Sequence, residues 1–195
     1  MNERTRKFDY DVIVVGSGFG GSVSALRLSE KGYRVAVLEQ GRRYSDAEMG
    51  KATQSARSLF WMPGLGLKGI FTQRFFRHVN IVGGVGVGGG SLVYAAVLLE
   101  PKPAFYQDPA WSRMGIDWNT ELSTHYQTAA RMLGVVTCPT RHTQDEWLEK
   151  TAQAMGVGHS YSPVPLGIYF GPQESVPDPY FEGQGPDRQG CLKCG

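Results

Sequence analysis

Apolar residues along this chain come first in short unbroken runs and later at helical spacing. Residues 10–15 (YDVIVV) are few, β-branched and nearly all apolar, the pattern of a strand covered on both faces. They run into Gly16-Ser17-Gly18-Phe19-Gly20-Gly21, after which Val23, Ala25 and Leu26 predict the inner side of a helix closed by Lys31 and Gly32. Residues 34–38 (RVAVL) predict a second strand, ending at Glu39-Gln40-Gly41. Strand, turn, helix and strand fit in about 30 residues, and a right-handed crossover makes the two strands parallel neighbours.

Residues 42–73 show no regular period, with Pro63, several glycines and scattered Arg and Ser. Residues 75–82 predict another strand. A second glycine run follows at residues 83–91, and residues 92–99 are apolar up to Glu100-Pro101. Beyond this point helices are expected. Asn119 is placed to cap one carrying Leu122, Tyr126, Ala129 and Leu133, with Gly134 behind it. Thr143-Gln144-Asp145-Glu146 has the capping-box pattern and opens another, with Leu148, Ala152 and Met155. Residues 164–170 predict a short strand, and the last 25 residues are rich in Pro and Gly. No internal repeat is visible.

Composition narrows the classes. The 195 residues suffice for one domain, or one domain and part of another. With 20 Lys+Arg against 18 Asp+Glu the net charge is +2, which offers no bulk attraction for nucleic acid or an anionic membrane. Hydrophobic residues at 41% are enough for a core and exclude wholesale disorder. No apolar run has the length of a secretory signal or a membrane span. Three cysteines make no disulfide framework, so a cytoplasmic protein without a transmembrane segment is expected. Glycine is the departure: 26 of 195, about twice the usual ~7%.

Gly16, Gly18 and Gly21 fit G-x-G-x-x-G in the context that gives this spacing meaning: after a strand, opening a helix, with an acid at the end of the next strand. The first glycine permits the turn, the second lets a pyrophosphate approach, and the third lets helix and strand pack. Free N–H groups and the helix dipole then hold phosphate. Glu39 is expected to accept hydrogen bonds from adenosine ribose hydroxyls and to repel a 2′-phosphate, which argues against NADP. The spacing alone fits either NAD or FAD. The second run, Gly86 to Tyr94 (GVGGGSLVY), lacks side chains for a strand or helix interior and is flanked by residues too apolar for a solvated tether. Main chain there is expected to lie against a large planar ring system with its own pyrophosphate.

YDVIVVGSGFGGSVSALRLSEKGYRVAVLEQG followed by GVGVGGGSLVY resembles the glucose–methanol–choline (GMC) oxidoreductases, in particular their cholesterol oxidase-like branch. The resemblance extends over nearly the whole chain. It implies an α/β fold: a doubly wound, Rossmann-type FAD-binding domain in residues 1–100, then the truncated start of an α+β substrate domain in residues 101–195. It implies FAD held at Gly16, Gly18, Gly20, Gly21 and Glu39 on the adenosine side, and at Gly84, Gly86, Val87, Gly89, Gly90, Ser91 and Tyr94 nearer the flavin. It implies hydride removal from a CH–OH group of an apolar or sterol-like alcohol. The chain departs from the cholesterol oxidase pattern after Leu92-Val93, carrying Tyr94-Ala95-Ala96 where those proteins carry Asn-Gly-Gly. With Val93 where some members carry a flavin-linking histidine, the FAD is expected to be non-covalent.

The family's chains run to several hundred residues with the catalytic His/Asn pair in the C-terminal part, so this chain is read as an N-terminal fragment, inactive in isolation. His78, His125, His142 and His159 lie outside the glycine motifs, and none is assigned as a general base. Cys191 and Cys194 have the spacing that begins a zinc or iron–sulfur site, but Cys138 cannot complete four ligands, so no metal is assigned. Two rival readings are an NAD-dependent dehydrogenase, which leaves the second glycine run idle, and a non-enzymatic flavin-binding or electron-transfer fragment.

Overall fold

A computed structural model describes residues 8–52 and 54–193. The chain divides into two compact units, residues 1–95 and 96–195.

The first unit opens with strand β1 (Val12–Val15), helix α1 (Phe19–Glu30) and strand β2 (Val35–Leu38). β1 and β2 pair in parallel, Val12 with Val35 through Val15 with Leu38. The β-branched run makes the strand, and Gly16 ends it. Arg34 secures the entrance, its guanidinium donating to both carboxylate oxygens of Asp11 at 2.8 and 3.1 Å and to the Asp9 carbonyl at 2.6 Å. Of the doubly wound sheet expected from sequence, the described residues hold this one parallel pair. Val23 and Leu26 do not form the inner side of α1: they are 58% and 41% exposed. The half-buried positions are Gly21, Ala25 and Leu28, because the close approach of α1 at Gly21 sets the rotation of the helix.

Residues 42–73 are more regular than their pattern suggests. Helices α2 (Asp46–Ala52) and α3 (Ala56–Leu59), strands β3 (Trp61–Met62) and β4 (Leu67–Lys68), and most of β5 (Phe71–Phe75) lie there. Ser55 caps α3, its hydroxyl accepting the Ser58 N–H at 3.3 Å. The single strand expected at 75–82 is instead the turn and second arm of a hairpin. β5 pairs antiparallel with β6 (Asn80–Gly84), and the Phe76 N–H donates to the Val79 carbonyl at 2.8 Å. Phe76 and Val79 make this turn look like strand, since neither Gly nor Pro marks it. Ile70 and Val85 are buried, and the Val85 N–H donates to the Ile70 carbonyl at 2.8 Å, fixing the start of the second glycine run.

The second unit holds α4 (Pro103–Gln107), α5 (Pro109–Ser112), α6 (Trp118–Leu133), strand β7 (Val136–Thr137), α7 (Thr143–Ala154) and strand β8 (Pro165–Leu166). The cap of α6 is Asp117 rather than Asn119: its carboxylate accepts the Thr120 N–H at 3.3 Å and hydroxyl at 2.6 Å. An acid at this place also suits the positive helix end. The α7 cap is His142, whose N–H donates to Asp145 at 2.8 Å, so the box begins one residue before Thr143. Only Pro165–Leu166 of the strand expected at 164–170 pairs, antiparallel with β7. Among the described residues no helix is long and apolar enough to cross a membrane.

Candidate functional site: two glycine runs around Glu39

The turn from β1 into α1 is built by glycine. Gly16 has φ +92°, which L side chains rarely adopt, and its N–H donates to the Leu38 carbonyl at 2.7 Å. Gly18 is the N-cap of α1, with no side-chain cap and no acid in the first turn. The first turn of this twelve-residue helix thus supplies no neutralising group of its own, and its first N–H groups are free of side-chain caps. A Cβ on Gly21 would overlap the carbonyl of Gly16, so the third glycine is where helix and turn touch. Gly20 is exposed, with nothing within 4 Å of where a Cβ would stand.

Glu39 follows β2 directly. Its Oε2 accepts the Ser17 N–H at 3.0 Å and the Ser17 hydroxyl at 2.7 Å, and its Oε1 accepts the Gly41 N–H at 3.0 Å. Partial burial resists ionisation, but the donors from Gly41 and Ser17 outweigh it and hold the carboxyl below its ordinary value of 4.5. Its orientation is therefore set by the chain itself.

The second run meets the first. Gly41 has no side chain where Gly86 crosses it; a Cβ there would stand 2.6 Å from the Gly86 Cα. Gly86 is buried beside Leu92 and Tyr44, and the Val87 N–H donates to the Arg42 carbonyl at 3.1 Å. The Gly88 N–H donates to the Ser17 hydroxyl oxygen at 3.0 Å. Gly84 ends β6, and its Cβ position is filled by the Gly89 carbonyl. Gly90 faces the Phe19 ring, 3.7 Å from where its Cβ would be. Ser91 is exposed, its hydroxyl donating to the Gly88 carbonyl at 2.9 Å. The Tyr94 N–H donates to the Gly90 carbonyl at 3.1 Å, and its ring stands edge-on to Phe19, centroids 5.5 Å apart.

A cavity of about 400 Å³ joins these parts, lined by Val15, Gly16, Gly18, Leu38, Glu39, Gln40, Gly84 and Gly89. It brings together Gly16, Gly18, Glu39, Gly84 and Gly89 of the residues expected from sequence. Gly20, Gly21, Gly86, Val87, Gly90, Ser91 and Tyr94 lie outside its lining. Sequence reasoning missed Ser17, Gly41 and Gly88. Ser17 is the variable position of the motif and carried no signal; Gly41 and Gly88, as glycines beside the acid and inside the second run, were open to being found. His78, His125, His142 and His159 are all exposed. Cys138 and Cys191 are free thiols, Cys194 lies outside the described residues, and among the described residues no group of three or more His, Cys, Asp or Glu is placed to hold a metal.

The family profile described as "FAD dependent oxidoreductase" matches residues 11–165. The chain belongs to the FAD-dependent oxidoreductases. FAD is the cofactor of this family, which decides between the two dinucleotides the spacing left open. Within it, the chain is 52% identical over 195 residues to a cholesterol oxidase of Mycobacterium tuberculosis, covering 97% of this chain and 34% of that protein. It is 46% identical over 193 residues to a cholesterol oxidase of Acinetobacter baumannii, covering 96% and 34%. A long-chain-alcohol oxidase of Arabidopsis thaliana is 33% identical over 103 residues, 52% of this chain and 14% of that one. Among solved structures, a pyridoxine 4-oxidase from Mesorbium loti aligns over 54% of this chain and 21% of its own, with a TM-score of 0.40 and 24% identity. The chain spans about a third of the length of the cholesterol oxidases it matches.

Proposed function

We propose that the whole protein is an FAD-dependent oxidoreductase acting on a CH–OH group of an apolar, sterol-like alcohol, and that the two glycine runs of this chain hold the cofactor. The observation that carries the reading is the meeting of two stretches of bare main chain, Gly16–Gly21 and Gly84–Gly90, beside the carboxylate of Glu39. Bare main chain at an uncapped helix end suits a pyrophosphate: N–H groups point outward and no side chain blocks approach. When bound, FAD supplies the hydride acceptor that takes an alcohol to a carbonyl compound.

On this reading Gly18 and Gly20 admit the phosphates, Gly16 and Gly21 shape the turn, and Glu39 accepts from the ribose. Gly84, Gly86, Val87, Gly89 and Gly90 lie along the flavin side, with Ser91 and Tyr94 nearer the ring system. The 52% identity to a cholesterol oxidase supports a sterol-type substrate, as the long-chain-alcohol oxidase similarity supports an apolar one. The acid–base residues are proposed to lie outside these 195 residues, because all four histidines are exposed and none lines the glycine cavity. The second unit is proposed as the start of the substrate domain, and the protein as cytoplasmic with no nucleic-acid partner. Titrating the 195-residue chain with FAD tests the cofactor part: quenching of flavin fluorescence, competed by ADP but not by FMN, is expected. Absence of quenching at millimolar FAD overturns it.

A further inference from the structure

Ser17 is no part of the cavity lining, but it sits in the chain between two lining residues, Gly16 and Gly18, and bonds to a third, Glu39. It is 7% exposed, one of two buried polar residues among those described. Its hydroxyl has one proton and two lone pairs. The carboxylate of Glu39 can only accept, so the proton goes to Oε2 at 2.7 Å, and a lone pair receives the Gly88 N–H at 3.0 Å. The resulting chain runs one way, Gly88 N–H to Ser17 hydroxyl to Glu39 carboxylate. The Ser17 N–H adds a second bond to the same oxygen, and its carbonyl accepts the Ser22 hydroxyl at 2.7 Å, tying the residue into the first turn of α1.

We propose that Ser17 is a positioning residue: its hydroxyl locks the second glycine run and Glu39 into one frame, so that the cofactor meets a preset cleft instead of two separate loops. Gly88 has φ +109° and is followed by Gly89, which rests on Gly18. The Gly89 N–H to Gly86 carbonyl bond and the Ser91 N–H and hydroxyl bonds to the Gly88 carbonyl stay inside the run, so Ser17 and the Val87–Arg42 bond are what tie residues 87 and 88 to the rest of the unit. An alanine would leave a donor at Gly88 and an acceptor at Glu39 without their shared partner in a largely enclosed place. The cost is paid in the ordering of the loop before any ligand arrives. The consequence for affinity rests on the FAD reading above; the frame itself does not.

Two measurements on the full 195-residue chain separate these. In the cofactor-free wild type, NMR exchange should find the Gly88 amide protected despite its place in a loop, and Ser17→Ala should remove that protection while α1 amides stay protected. A wild-type Gly88 amide exchanging at an open-loop rate overturns the frame and needs no variant. In FAD titrations, Ser17→Ala should weaken binding about 10- to 100-fold. In a Glu39→Ala background the same change should cost at most about threefold, because the chain of bonds is already broken. Equal FAD affinity for wild type and Ser17→Ala, or additive effects of the two substitutions, overturns Ser17 as a positioning residue. A wild type that fails to bind FAD, with Gly88 protection still dependent on Ser17, overturns the FAD reading and leaves the frame standing.

Discussion

Gly89 stands so close to Gly18 that a Cβ on Gly89 would lie 2.8 Å from the Gly18 Cα. The relation is not symmetrical: a Cβ on Gly18 would have its nearest neighbour, the Gly89 Cα, at 4.0 Å. Gly89 also has φ +55°, whereas Gly18 has an ordinary extended conformation. Gly89→Ala must therefore push the two runs apart, with a loss of about 1–3 kcal/mol. Gly18→Ala is accommodated. Urea unfolding of the two variants should rank them in that order.

Gly20 offers the opposite separation. It lies within α1 with no neighbour at its Cβ position, so Gly20→Ala should raise stability by about 0.5–1 kcal/mol through lower chain entropy in the unfolded state. A methyl there also closes the space beside the helix end. The variant is expected to melt higher and bind FAD more weakly, measured by circular dichroism and flavin quenching. Unchanged FAD affinity would remove Gly20 from the proposed phosphate path.

Acid should affect the site late. The Glu39 carboxyl is held below its ordinary 4.5, so its hydrogen bonds are fully present above that value and are lost as pH falls through the lower, folded one. Glu48 follows the same sign, held to about 2 by the Ser45 N–H, the Ser45 hydroxyl and Arg42. FAD affinity should stay level from about pH 7 to about pH 5 and fall only under 4.5. A decline beginning near neutrality would point to a different group.

In the second unit Gly134 ends α6 at φ +62°, and a Cβ on it would overlap the Tyr180 ring. Gly156, behind α7, has φ +73° with nothing near it. Gly134→Ala should cost about 2–4 kcal/mol, combining backbone strain with overpacking, and Gly156→Ala about 1–2 kcal/mol from strain alone. Chemical denaturation of both variants checks the difference.

One face of the β1–β2 pair is bare. Val14 points at α1, near Gly21, while Ile13, Val15 and Leu38 on the other side are 61%, 84% and 57% exposed. Parallel sheets normally bury both faces. The chain should bind the dye ANS at neutral pH, and Ile13→Lys should reduce that signal without lowering the melting temperature. A chain that leaves ANS dark would mean this face is covered in solution.

The β1–α1–β2 unit was legible because each of its parts carries its own local signal. A β-branched run, glycines at fixed spacing, a helix and a closing acid each point to the same turn. The hairpin was not legible, because Phe76 and Val79 sit in a turn with strand-like residues. The inner stripe of α1 was misread for another reason: hydrophobicity marks Val23 and Leu26, but contact at Gly21 fixes which way the helix faces. In α6 the stop at Gly134 was readable and the start was not, since Asp117 and Asn119 are both competent caps.

What the amino-acid order determined by itself was which stretches could be bare, where the carboxylate would sit and which strands would run parallel, all consequences of neighbours along the chain. Only the tertiary structure decided that Gly41 and Gly88 belong to the same arrangement, that Glu39 is already held by Ser17, and that Gly89 lands on Gly18. Those are close approaches between segments distant in sequence, and no local pattern of side chains encodes a distance between two backbones.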